Sequence, residues 1–250
     1  MSDNNTVIKL ENVSKRYNVY SRNIDRIKGV LLNREPAEVK HALKNVSLEV
    51  KKGERLVVMG VVDSGRSTLA KVIAGVTSPS KGRVETFGKT MNVMLDAKVG
   101  MDMEFSCRDN IFMKANIVGL TKAEIAPYVD EILDFAEVKD FADLPLKRAP
   151  KGTPAMLSLA VHLHKDADIL ILDEVFGGGG NYITSKCENI LTVKMRDDIT
   201  ATVVSVSNRA SYAKNIGTRA IVLEKGKIVY NGSIEEAIKL FQSLNKRNVR

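Results

Sequence analysis

The segment Gly60-Val61-Val62-Asp63-Ser64-Gly65-Arg66-Ser67-Thr68 follows a compact apolar run at 55–59 and opens a helical stretch at 67–75. That position and that glycine spacing fit a loop that cradles phosphate. In such a loop successive backbone N–H groups and a helix N-terminus face one point and stabilise anionic oxygens. Gly60 and Gly65 let the backbone curl without Cβ clashes. Ser67 is placed to hold Mg2+. Two residues fit the pattern poorly. Arg66 stands where the motif has lysine, which keeps the charge but exchanges a compact ammonium for a planar fork. Asp63 puts a carboxylate into a nest built for phosphate. An ordinary strand–turn–helix with a glycine cap is the alternative reading, and the flanking strand and helix favour the phosphate loop.

A second element is Ile169-Leu170-Ile171-Leu172-Asp173-Glu174. A buried strand delivering an aspartate at its tip is the usual Mg2+ position of phosphate-loop NTPases, so Asp173 joins Ser67 as a metal candidate. Glu174 is placed to polarise an attacking water as general base. Two solvated acids ending a strand are the alternative, and the upstream loop favours chemistry. The histidines add no site. His162 and His164 lie two apart on an expected helix and face different sides, and His41 precedes a strand. Cys107 and Cys187 have neither a zinc spacing nor a redox pairing and read as reduced thiols.

These residues need elements to hold them. The chain has 250 residues, 44% hydrophobic and 27% charged, an ordinary globular composition with enough length for a substantial core. Lys plus Arg is 38 and Asp plus Glu is 30, a net charge of +8. No apolar run is long enough to span a bilayer, and the N-terminus lacks the apolar stretch of a signal peptide. The basic residues are spread out. Their densest cluster is Lys246, Arg247 and Arg250, without a nucleic-acid motif nearby, so the charge reads as a solvated surface or as contact with an anionic leaflet.

Residues 7–12 and 46–50 read as short alternating strands, with an amphipathic helix between them on Ile24, Ile27, Val30 and Leu31. Residues 168–172 and 201–206 read as buried strands, 219–232 as a hairpin turning on Lys225-Gly226, and 234–244 as a final helix. Residues 100–165 carry helical periodicity. Buried strands alternating with helices indicate an α/β fold with a parallel sheet.

On these motifs the chain resembles the nucleotide-binding subunit of ABC transporters. Within that family it is similar to the branch that exports polysaccharides and polyol phosphates: O-antigen, capsule and teichoic acid. VSKRYNVYSRNIDRIKGVLL matches that branch's inserted segment, and HALKNVSLEVKKGERLVVMG leads into the phosphate loop as it does there. CRDNIFMKANIVGLT and EILDFAEVKDFADLPLK resemble its helical lobe. DILILDEVFGGGG and TRAIVLEKGKIVYNG extend the resemblance over nearly the whole chain.

The resemblance implies an α/β P-loop NTPase fold. A RecA-like core (about 1–95 and 166–250) carries an antiparallel β flank, and a helical subdomain fills about 96–165. It also implies a homodimer or heterodimer of nucleotide-binding subunits that sandwiches two ATP with Mg2+. Each ATP touches the phosphate loop of one copy and the signature loop of the other. The expected partner is a transmembrane permease subunit, not nucleic acid. The chain is then peripheral, on the cytoplasmic face of the membrane. The permease's coupling helix is expected near 96–111, within reach of Phe105 and Arg108. Longer relatives append a glycan-recognising domain, whereas this chain ends soon after its last helix, which implies that it does not select the glycan in that way.

Carried over residue by residue, the resemblance places Tyr17 on adenine, with Tyr20 the alternative, and Gly60 to Thr68 on the phosphates. Several positions depart from the family. The signature loop falls at Pro150-Lys151-Gly152-Thr153, where Gly152 alone remains. The glutamine that senses Mg2+ and water is missing, since Gln242 is the only glutamine in the chain, and Asp96 is a weak substitute. An aspartate that crosses the dimer is replaced within Gly177–Gly180, and the switch histidine is Asn208. An amide donates a hydrogen bond but carries no positive charge. Lost electrostatic contacts of this kind typically cost on the order of 10²–10³ each in rate, so hydrolysis is expected to be slow. Binding is expected to be weak, with Asp63 repelling phosphate and Arg66 partly offsetting it. A catalytically inactive structural or regulatory relative fits the same scaffold. An unrelated phosphate-loop kinase does not fit the Leu-Asp-Glu strand end and the hairpin after it.

Overall fold

The computed structural model describes residues 5–19, 38–173, 185, 186, 188, 189, 191 and 201–248. Its strands are β1 (Thr6–Val19), β2 (Glu38–Lys51), β3 (Arg55–Gly60), β4 (Lys81–Thr86), β5 (Met91–Met94), β6 (Ile169–Asp173), β7 (Thr202–Val206), β8 (Arg219–Glu224) and β9 (Lys227–Gly232). Its helices are α1 (Arg66–Ile73), α2 (Cys107–Val118), α3 (Lys122–Ile125), α4 (Val129–Phe135), α5 (Thr153–Leu163), α6 (Ala210–Ile216) and α7 (Ile234–Asn248). The helix expected on Ile24 to Leu31 lies outside the described residues.

One sheet of six strands has the order β5-β6-β7-β3-β8-β9. Its strands pair in parallel except at the β8–β9 hairpin. Both faces of β3, β6 and β7 are covered, which is why these segments read as unbroken apolar runs rather than alternating ones. Parallel strands all point their C-terminal ends to one edge, so Gly60 and Asp173 arrive there together.

A second, antiparallel sheet of order β2-β1-β4 packs over one face of the first. Ile8, Leu10, Val46 and Leu48 meet Leu56, Val58, Ile171 and Val204 in one apolar cluster. Strands β1 and β2 are much longer than the alternating stretches at 7–12 and 46–50. Register shifts between Leu10 and Val13 and between Lys15 and Arg16 interrupt the period of two. The sequence reading contains neither the polar strand β4 nor β5, a four-residue strand with Met94 buried.

Between β5 and β6 lie α2, α3, α4 and α5, which share a core of Ile111, Ile125, Ile132, Leu133, Leu157 and Val161. Ser106 caps α2 by accepting from the Asp109 N–H, and Thr121 with Glu124 forms a reciprocal capping box on α3. These caps fix where each short helix begins. On the far side of the main sheet, Ala237, Ile238 and Leu244 of α7 pack on Val57, Ala220 and Val222. No helix among the described residues is long and apolar enough to cross a membrane.

Candidate functional site

The phosphate loop leaves the end of β3 and returns as α1. Gly65 sits in the left-handed region at φ 105, and a Cβ there would lie 2.3 Å from the Ala42 carbonyl oxygen. Only glycine allows this approach, which presses the loop against β2. A Cβ on Gly60 would lie 2.5 Å from both the Leu223 carbonyl and Ser64 Oγ. The Gly226 N–H of the hairpin turn donates to the Ser64 carbonyl at 2.9 Å and braces the loop from behind. The α1 N-terminus therefore opens onto a cleft with its first N–H groups unspent on the helix.

Ser67 and Asp173, the two residues expected to hold Mg2+, meet. The Ser67 hydroxyl lies 3.3 Å from Asp173 Oδ1, joining α1 to the tip of β6. The Asp173 carboxylate is buried. A hydroxyl and a carboxylate side by side are hard oxygen donors that suit Mg2+, which takes its remaining positions from water and phosphate. Asn208 Oδ1 accepts from the Gly60 N–H at 3.1 Å, so the residue after β7 is bonded to the start of the loop. The oxygen of this amide is committed there, and its NH2 group is the donor left for other contacts.

Tyr17, Val62, Asp63, Ser64, Gly65, Arg66, Ser67 and Thr68 line one cavity of about 300 Å³, together with Lys40 and Ala42. Tyr17 belongs to β1 and keeps 38% of its surface exposed. The Lys15 ammonium stands 5.1 Å from its centroid, a cation–π contact that steadies the ring. Val61 packs into the apolar cluster beneath β3 instead of lining the cavity.

Asp63 adopts a left-handed φ of 61, and its Oδ1 accepts from Lys40 Nζ at 2.8 Å. The sequence-based expectation gave this carboxylate only Arg66 as an offset. The structure supplies a direct counterion from β2, a contact that depends on strand register and leaves no signal in the sequence.

Gly152 lies elsewhere. It caps α5 at φ 95 and borders a second cavity of about 480 Å³ with Asp96, Lys98, Lys151 and Asp173. Asp173 thus meets Ser67 and also borders the cleft beside the helical lobe. Glu174, Tyr20, Cys187 and Gly177–Gly180 lie outside the described residues. Cys107 is buried, and burial pushes its thiol up in pKa.

Behind this cleft is a buried polar pair that sequence reading did not find. Lys114 of α2 is 2% exposed and donates to the Val99 carbonyl at 2.9 Å. Burial pushes its pKa down to about 8, partly countered by Asp96. His162 is buried against Asn92, and burial, then the Lys114 charge, push its pKa down to about 3. It stays neutral, with its Nδ1 hydrogen-bonded to Asn92 Oδ1.

Residues 43–177 match the family model described as ABC transporter. The chain belongs to the ABC transporter family. "Teichoic acids export ATP-binding protein TagH" of Bacillus anthracis is 31% identical over 245 residues, covering 97% of this chain and 44% of that protein. The protein of the same name from Staphylococcus epidermidis is 30% identical over 240 residues, covering 96% of this chain and 89% of that protein. "ABC transporter protein AbcA" of Aeromonas salmonicida is 28% identical, covering 95% and 76%. The chain spans less than half the length of the Bacillus anthracis and Bacillus cereus relatives, 44% and 43%. The same fold occurs in the ATP-binding cassette MJ0796, solved as a dimer in a post-hydrolysis state bound to ADP and Pi. That structure has a TM-score of 0.71 at 21% identity and covers 91% of this chain and 98% of that one.

Proposed function

We propose that this chain is the ATP-binding subunit of an ABC transporter that exports a polysaccharide or polyol phosphate polymer of the teichoic acid kind. The contact between Ser67 and Asp173, at the mouth of a glycine-shaped loop facing Tyr17, carries the reading. The loop's N–H groups and Arg66 would bind the nucleotide's phosphates, and Tyr17 would stack on its base. Ser67 and Asp173 would hold Mg2+, which would supply positive charge against the phosphate chain. Glu174 would accept the proton of an attacking water. Calorimetry of the purified chain tests the nucleotide reading. ATP should bind with Mg2+, and Ser67→Ala or Asp173→Asn should remove the Mg2+ dependence. Binding that is indifferent to Mg2+ in the unmodified chain would overturn it.

Slow hydrolysis belongs to the same proposal. A general base acts only when water and phosphate are already held in line. Arg66, Pro150, Lys151, Gly180 and Asn208 replace groups that do this in the family resembled. Both halves of a two-copy site are affected, so a competent partner copy would not restore a standard site. Those same substitutions favour a second reading, a subunit that binds nucleotide and signals its occupancy without turning it over. Phosphate release by the complex separates the two.

The chain would sit on the cytoplasmic face of a membrane, held by a permease. Phe105, Met103 and Val99 are large apolar side chains left exposed on the segment between β5 and α2, which suits a docking helix. Arg108 is committed to Asp130 and Asp143, at 3.2 Å and 3.0 Å. A crosslinker at Phe105 is therefore the cleaner probe. It should capture the permease and fail to do so in an unrelated membrane.

A further inference from the structure

The nucleotide cavity contains a cation that no motif announces. Lys40 lies opposite Tyr17 in the register of β1 and β2, so the two side chains leave the same face of the ribbon. Both line the cavity with Arg66 and Ser67. The Lys40 ammonium donates to Asp63 Oδ1 at 2.8 Å. The pair is open to solvent, with 52% of the Lys40 side chain and 74% of the Asp63 side chain exposed. An exposed ion pair is worth little, so it yields readily to a stronger anion in the same space.

We propose that Lys40 is a nucleotide-binding residue and that Asp63 is its resident counterion. A nucleoside di- or triphosphate entering the cavity takes the ammonium over from the carboxylate. This rests on the reading of the cavity as a nucleotide site. The phosphate chain carries more charge than one carboxylate and accepts charge-assisted hydrogen bonds through several oxygens, so the exchange runs toward the ligand. The left-handed φ of 61 at Asp63 matters here, because the loop's path at that residue is what aims its carboxylate at β2. Asp63 is then more than a defect in a phosphate nest. It holds Lys40 at the cavity in the absence of ligand, and its own release is part of binding.

The test is a double-mutant cycle on MgATP affinity, read by calorimetry with melting temperature as a fold control. Lys40→Met should weaken MgATP about tenfold, the loss of one charge-assisted contact. Lys40→Arg should retain most of the affinity. Asp63→Asn should tighten binding, because no counterion has to be displaced. In the Asp63→Asn background, Lys40→Met should cost more than it does in the unmodified chain, since the ammonium there is free to serve only phosphate. A loss under twofold for Lys40→Met with intact melting would overturn the assignment of Lys40. Equal losses in the two backgrounds would overturn the exchange with Asp63. Either result leaves the nucleotide reading standing if the unmodified chain binds MgATP. An unmodified chain that binds none overturns both.

Discussion

Replacing Lys114 tests how the helical lobe is fastened to the site. Lys114 is buried at 2% exposure, with its ammonium on the Val99 carbonyl. Val99 lies on the segment after β5 that also carries Asp96, a wall of the second cavity. The titratable groups that act on this ammonium are Asp96, which favours its charge, and His162, which stays neutral because of burial and the Lys114 charge. The folded-state pKa is about 8, against 10.5 for an exposed lysine. Because the folded value is the lower one, the unfolded chain binds more protons between those two pH values. Stability therefore rises as pH climbs from about 8 to 10.5, and below pH 8 the burial cost is fully present. The gap corresponds to roughly 3 kcal/mol as an upper bound. Lys114→Met removes that cost but strands the Val99 carbonyl, a loss of about 1–3 kcal/mol, so at neutral pH the two nearly cancel. The distinguishing signal is the slope. Urea denaturation across the alkaline range should show the unmodified chain gaining stability and Lys114→Met gaining little. Parallel stability curves for the two proteins would refute the argument.

Other outcomes follow from the same geometry. His162 has a folded pKa of about 3 against an ordinary 6.5, so stability should fall as pH drops through that window, by at most roughly 5 kcal/mol. His162→Gln should flatten the acid limb of a denaturation series, and an unchanged limb would show that His162 is not its source. Asp63→Gly should tighten MgATP, since it removes a negative charge and frees the φ of 61. Lys40 limits the gain to well under the ~4 kcal/mol of an uncompensated unit charge at close range. Calorimetry showing unchanged or weaker affinity would sink that expectation. A homodimer with its permease should release phosphate slowly, and Arg66→Lys or Asn208→His alone should recover little. Reversion of Arg66, Pro150, Lys151, Gly180 and Asn208 together should recover far more than the sum of singles. Ordinary turnover in the unmodified chain, abolished by Glu174→Gln, would refute this.

Some of this architecture was legible in the chain and some was not. The phosphate loop could be read because its backbone path admits only glycine at Gly65, where a Cβ would meet the Ala42 carbonyl. The strands β3, β6 and β7 could be read because burial on both faces leaves an unbroken apolar run. Strand β4 could not, since Lys81–Thr86 is held by its ladder to β1 and offers no apolar face of its own. The full lengths of β1 and β2 were hidden by the register shifts that break their alternation. Contacts set by register or by tertiary packing were out of reach. Lys40 with Asp63 is the first kind, and Lys114 with Val99 is the second.

The pattern of what the chain keeps bears on what it does. The retained positions include glycines that shape backbone, Gly65 at φ 105 and Gly152 at φ 95, each beginning a helix, together with the side chains Ser67, Asp173 and Glu174. The changed positions are side chains: Arg66, Pro150, Lys151 and Asn208. A backbone cradle binds phosphate oxygens in ground state and transition state alike. Such uniform binding gives affinity without speeding the chemical step. Charged and polar side chains aimed at the γ-phosphate act where charge develops, and these supply rate. A chain that keeps the cradle and changes most of these side chains is expected to hold nucleotide better than it turns it over. The Ser67 to Asp173 contact belongs with the cradle in this respect, because it would place Mg2+ for binding as well as for chemistry. Nucleotide affinity should therefore survive in this chain to a much greater extent than hydrolysis. The ratio of the two, measured on one preparation, is the quantity that separates a slow motor from a nucleotide-gated structural subunit.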